Sequence, residues 1–132
     1  MKFLYLPTFI ILLLFPRIAL ADPIDNVASL IKEGNTRELS KLFAANVEIS
    51  IMENENIYSQ AQATLILDKF FSTNKPKSIK LLHKVNSSVN YRLGVFILTT
   101  DNGQLYRVAF TLKETDGKMP IIELRIESEK MK

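Results

Sequence analysis

The sequence predicts an α+β roll: a curved antiparallel sheet wrapped around one long helix and preceded by two short helices. Three observations predict it. An amphipathic stretch with its own capping signal, residues 59–72, precedes the strand-rich half of the chain. Four alternating apolar runs follow it, two of them flanking Asn102-Gly103, the strongest short hairpin signal. A long helix ahead of a long antiparallel sheet must lay its apolar stripe on the sheet's apolar face.

The chain of 132 residues opens MKFLYLPTFIILLLFPRIALAD. A basic Lys2, an apolar run from Phe3 to Phe15 and the small-x-small site Ala19-Leu20-Ala21 are the anatomy of a secretory signal peptide. The run falls short of the roughly 20 apolar residues that span a bilayer. Cleavage between Ala21 and Asp22 is expected, leaving a single domain at 22–132 that is exported, periplasmic or secreted, with no stable membrane span. Loss of Lys2 and Arg17 takes the net charge from +3 to +1, too little to create a long-range field for nucleic acid. The chain has no cysteine and one histidine. Disulfides, thiol catalysis and a lipid anchor through Cys are thereby excluded. A transition-metal site is disfavoured and no cofactor is expected, although carboxylates alone could hold a hard cation.

The elements follow in order. Asp22-Pro23 reads as a cap and first helical position, with Ile24, Val27, Ala28, Leu30 and Ile31 at helical spacing and Gly34 as the stop. Asn35 caps a second short helix with Glu38 three residues on, its stripe being Leu39, Leu42 and Phe43. Val47, Ile49 and Ile51 alternate with polar residues as a half-buried strand, and NENIYS turns the chain. Ser59 and Gln62 form a capping box for the long helix, whose apolar face is Ala63, Ile66, Leu67, Phe70 and Phe71.

Strands are expected over residues 78–85, 91–101, 104–114 and 121–127. In the first, Ile79, Leu81, His83 and Val85 share one face. A two-residue Asn102-Gly103 turn would pair Leu93 with Leu112, Val95 with Phe110, Ile97 with Val108 and Thr99 with Tyr106 as an apolar face, leaving Arg92, Gly94, Phe96 and Leu98 opposite. At Asp116-Gly117 a three-residue turn with a bulge is expected, because it sets Ile122, Leu124 and Ile126 beside Phe110, Val108 and Tyr106. A two-residue turn would turn Glu123 and Arg125 inward. The tail SEKMK is expected to fray.

The strings ENENIYSQAQATLILDKFF, HKVNSS, YRLGVFILTTDNGQLYRVAFTLK and IIELRIE resemble a family of small exported bacterial proteins catalogued as a domain of unknown function. That family is similar in fold to the nuclear-transport-factor-2-like, or cystatin-like, superfamily. The resemblance covers nearly all of residues 22–128. It implies the fold and a bacterial periplasmic setting. It implies no activity, since the superfamily hosts isomerases, dehydratases, binding proteins and assembly modules.

The candidate pocket comprises His83, Tyr91, Thr99 and Tyr106. His83 reads either as a general base at the pocket mouth or as a core-edge histidine hydrogen-bonded to the backbone or a tyrosine. Isomerases of the superfamily use an inward Asp, and no strand here carries one within its apolar series, which argues against that chemistry. The candidate interface is a mixed outer face of Arg92, Phe96, Leu98, Arg107, Ala109, Glu123 and Arg125, apolar at its centre and charged at its rim. The cluster Lys69, Lys75, Lys77, Lys80 and Lys84 reads as a solvated loop and strand edge. The sequon Asn86-Ser87-Ser88 matters only in a eukaryotic secretory route. The expected role is a non-catalytic module that binds a small apolar ligand or a protein partner, either a second copy as a homodimer or an envelope protein. The alternative is a pocket enzyme using His83 and Tyr106.

Overall fold

A computed structural model of the chain describes residues 22–86 and 90–129. The leader with its Ala21 junction, Ser87 and Ser88 of the sequon, and the last three residues of the tail lie outside the described residues.

Helix α1, Pro23–Glu33, starts on the Asp22 cap, whose Oδ1 accepts from Ile24 N at 2.9 Å. It stops at Gly34, which takes the left-handed conformation at φ 67°. Helix α2, Thr36–Ser40, starts on Asn35, which accepts from Glu38 N. It is shorter than its apolar stripe implies: Leu42 lies beyond it and Phe43 opens a strand. Helix α3, Gln60–Thr73, carries both halves of the Ser59–Gln62 capping box. Its polar face is not solvated throughout. Gln60 Nε2 donates to Ser40 O, and Thr36 Oγ1 donates to Asp68 Oδ1 at 3.0 Å, so this face docks α2.

The strands are β1, Phe43–Ile51; β2, Asn54–Ser59; β3, Pro76–Val85; β4, Tyr91–Thr100; β5, Leu105–Lys113; and β6, Ile121–Ser128. They form one curved, unclosed sheet in the order β2-β1-β6-β5-β4-β3. NENIYS, expected as a turn, is strand β2. The turn is tighter, at Met52-Glu53, where Met52 takes φ 56°. All neighbours are antiparallel except β1 and β6, which run parallel in mid-sheet. The early hairpin is thus docked against the last strand, a pairing that no local pattern encodes.

The inner face of the sheet packs on α1 and α3 around Phe96, Leu98, Val108, Phe110, Leu124 and Ile126, each 3% exposed or less. Phe96 and Phe110 stack at 5.5 Å. This corrects the expected register of β4. The turn between β4 and β5 is longer than the two-residue Asn-Gly loop: Gly103 N donates to Thr100 O, Thr100 N donates to Gln104 O, and Gly103 takes φ 81°. That arrangement is a tight turn followed by a left-handed glycine. Leu98 therefore faces Tyr106, Phe96 faces Val108 and Gly94 faces Phe110. A one-residue slip turns over the whole strand. Phe96 and Leu98 go into the core, while Leu93, Val95, Ile97 and Thr99 go to the outer face.

The last hairpin corrects the expected turn and keeps the expected face. Asp116 and Gly117, at φ 50° and 77°, make a two-residue turn closed by Thr115 and Lys118. The compensating extra residue lies within the sheet, where the register shifts between Thr111 and Leu112. Ile121, Leu124 and Ile126 then point inward. Leu124 lies beside Phe110 and Ile126 beside Val108, while Glu123 and Arg125 stay outside and Ile122 is the bulged residue. Part of the tail is ordered too: Glu129 donates its N–H to Leu105 O and holds Arg107 through its carboxylate.

Candidate functional site

A cleft of about 690 Å³ opens between the inner face of the β1–β2 hairpin and the C-terminal half of α3. Its floor is apolar: Ile49 and Ile51 from β1, Tyr58 from β2, Ile66 and Phe70 from α3. Alternation places Asn54, Asn56 and Tyr58 on the same side of β2, paired with Ile51, Ile49 and Val47. The rim holds those two asparagines with Asn74, Thr73, Lys69 and Glu53. Asn74 is fixed rather than free, since its Oδ1 accepts from Tyr106 OH at 2.9 Å and its Nδ2 donates to Phe70 O. Phe70 meets Tyr106 edge-on at 5.2 Å, which ties the cleft floor to β5. Another hollow of about 690 Å³ lies at the other end of β1, between Phe43–Ala45 and the 115–120 turn. Only the first is walled by two packed layers.

The expected pocket does not assemble. Of His83, Tyr91, Thr99 and Tyr106, only Tyr106 faces inward. A register shift between Leu81 and His83 pairs His83 with Val95 on the outer face, where it is exposed. It is therefore neither a pocket base nor a core-edge residue, and its expected shared face with Ile79 and Leu81 is broken by the bulge. Thr99 is on the outer face opposite Leu105. Tyr91 is exposed at the end of the sheet, with Lys113 Nζ 5.6 Å from its ring centroid.

The expected interface is split in the same way. Arg107, Ala109, Glu123 and Arg125 share the outer face, whereas Phe96 and Leu98 are core. Arg92 is on the inner side, opposite Leu112 and close enough for its charge to act on Asp22. The cleft lining was missed because NENIYS carries turn-like composition; the asparagine-asparagine-tyrosine alternation is the one local signal of a strand facing a helix.

Two groups of charges are perturbed. Lys84 Nζ lies 2.9 Å from Asp22 Oδ2 and 3.1 Å from Asp25 Oδ1. The hydrogen bond from Lys84 holds the Asp22 carboxyl below its usual range, helped by the Ile24 N–H and opposed by partial burial. The two carboxylates raise the pKa of Lys84. This triad fastens the start of α1 to the edge strand β3. At the outer edge of β1–β2, a hydrogen bond and repulsion from Glu48 raise Glu55. Among the described residues, no cluster of His, Cys, Asp or Glu has the geometry of a metal site, and no helix is long and apolar enough to cross a membrane.

No curated protein matches the chain. Solved structures do. A protein from Bacteroides ovatus is 25% identical, with TM-score 0.74 over 80% of this chain and 94% of its own. One from Bacteroides uniformis is 24% identical, with TM-score 0.77 over 83% of this chain and all of its own. A Nostoc punctiforme domain described as having a cystatin-like fold is 8% identical, with TM-score 0.64 over 80% of this chain and 72% of its own, and shares the fold alone. Both Bacteroides proteins carry the same family description as the model that matches residues 24–127 here. The chain belongs to that family, the domain of unknown function DUF4783, built on the nuclear-transport-factor-2-like, or cystatin-like, roll.

Proposed function

We propose that the chain is an exported, non-catalytic binding module that holds a small, largely apolar ligand in the cleft between α3 and the β1–β2 hairpin. The observation that carries this reading is the make-up of the cleft: an aliphatic and aromatic floor under a polar rim of three asparagines and a threonine, with Glu53, Glu55 and Lys69 at its outer lip. Such a lining desolvates an apolar body and orients one neutral polar group. Its ionisable groups, Glu53, Glu55 and Lys69, are exposed at the rim, and it holds no histidine. Glu55, at the lip, owes its raised pKa to Glu48 on the outer edge. His83 and Tyr106, the pair of the alternative enzymatic reading, lie on opposite faces of the sheet.

The test is a native mass spectrum of the protein purified from a periplasmic extract. The expected result is a polypeptide beginning at Asp22 with an added small-molecule mass, absent from an Ile66→Glu variant that folds. A bare mass, with no thermal shift from fatty acids, sterols or alkyl glycosides, would overturn the ligand reading. A mass that retains residues 1–21 would overturn the export reading separately.

A further inference from the structure

The polar groups at the cleft rim have different commitments within the fold, and these set what a ligand must bring. Asn56 Oδ1 accepts from Ile57 N at 2.9 Å. Asn74 Oδ1 accepts from Tyr106 OH, and its Nδ2 donates to Phe70 O. A backbone N–H needs an acceptor and a backbone carbonyl needs a donor, so both amides are held in these orientations. What Asn56 and Asn74 have left to offer is amide N–H. The side chains of Asn54 and Thr73 line the same cleft and make no hydrogen bond among the described residues. Each can both donate and accept.

These groups gather at one end. Ser59 caps α3 directly after β2, so the helix runs back along the hairpin. Ser59 to Thr73 covers ~21 Å of helix and Ser59 to Asn54 ~17 Å of strand, which sets Thr73 and Asn74 level with Asn54. Ile66, half-way along the helix, lies nearer Tyr58.

Charge then selects among polar heads. The last turn of α3 carries no basic residue, so its free carbonyls leave the negative end of the helix dipole at the polar end of the cleft. Glu53 and Glu55 stand at the lip against Lys69 alone. An anionic head is opposed by both features. A cationic head is drawn by this field but brings no acceptor for the Asn56 and Asn74 N–H groups that it strips of water. A hydroxyl meets both demands: it accepts from those N–H groups and donates to Asn54 Oδ1 or a helix carbonyl.

We infer that the ligand is an uncharged amphiphile with a polyhydroxylated, sugar-like head, its hydroxyls among Asn54, Asn56, Thr73 and Asn74 and its alkyl body over Ile49, Ile66 and Phe70. The inference rests on the cleft reading above and adds the class of head group.

Calorimetric titration of the exported protein with three probes of one chain length tests it: n-octyl β-glucoside, octanoate and octyltrimethylammonium, each below its micelle-forming concentration at neutral pH. The glucoside should bind about 10-fold more tightly than either ion, the worth of one or two hydrogen bonds. Asn54 and Thr73 are exposed, so a variant combining Asn54→Ala and Thr73→Val should fold. It should lose about 10-fold in glucoside affinity and none in octanoate affinity. Glu53→Lys should strengthen octanoate binding about 3-fold. Octanoate or the ammonium binding as tightly as the glucoside would overturn the head-group inference and leave the cleft reading standing. Glucoside binding untouched by the Asn54 and Thr73 substitutions would overturn the seat of the head. Binding of none of the three probes, or binding that Ile66→Glu leaves unchanged, would sink the cleft reading itself.

Discussion

Ile24 of α1 sits where a side chain on Gly94 would have to go: a Cβ there would come within 2.7 Å of Ile24 Cγ2, and within about 3 Å of the Phe96 and Phe110 rings. The glycine is therefore a point of close approach between helix and sheet, not a turn or a flexible joint. Gly94→Ala should destabilise the fold by about 1–3 kcal/mol through overpacking, read as a lower melting temperature. Combined with Ile24→Ala, the two penalties should be less than additive, since the truncation removes the clash.

The Asp22–Lys84 ion pair gives stability a pH dependence whose sign follows from the shifts. Asp22 is held below its ordinary 3.8 in the folded state. Its contribution is present above that value and is lost as pH falls through the lowered folded pKa. Lys84 is raised above its ordinary 10.5, so its contribution is present below that value and is lost as pH rises through the raised one. Asp22→Asn keeps the helix cap and removes the charge. Melting curves should show the variant less stable than wild type at neutral pH, with the gap closing at pH values below Asp22's range. A gap that persists in acid would mean that the cap, not the charge, carries the effect. Glu55 has the opposite slope: its contribution is present below its ordinary 4.5 and is lost as pH rises.

His83→Ala should change stability by no more than about 0.5 kcal/mol, because the residue is exposed on an edge strand. Ligand retention should also be unaffected, since the imidazole is on the far side of the sheet from the cleft. Chemical denaturation and the native mass spectrum check the two halves of this expectation.

Tyr106→Phe removes the hydroxyl that donates to Asn74 Oδ1. A cost of about 1 kcal/mol is expected for this part-buried bond. The larger consequence falls on the cleft: freed from Tyr106, Asn74 no longer holds a fixed rim position, and ligand affinity should fall while the aromatic packing on Phe70 is kept.

Much of the fold is local and was legible in the residues. Asp22, Asn35 and the Ser59–Gln62 box start the three helices where they stand, because a cap is satisfied by backbone N–H groups two or three residues away. Gly34 ends α1 for an equally local reason. The inward series of β5 holds as read, from Tyr106 to Leu112, because its alternation has only one apolar choice. In β4 both faces are apolar, Gly94, Phe96 and Leu98 against Leu93, Val95 and Ile97, so alternation cannot say which faces the core.

The sequence by itself determined the order of the elements other than β2, the helix caps and the apolar character of the sheet, all of which depend on neighbours within a few residues. Only the tertiary structure decided the rest: the five-residue span from Thr100 to Gln104 that turns β4 over, the bulges that expel His83 and bury Ile121, and the parallel seating of β1 on β6 that opens the cleft. The physical reason is that a strand's pattern repeats every two residues, so a shift of one residue exchanges its faces without altering the pattern. Which face wins is fixed by packing against α1 and α3, and there the close approach of Ile24 to Gly94 admits only one choice.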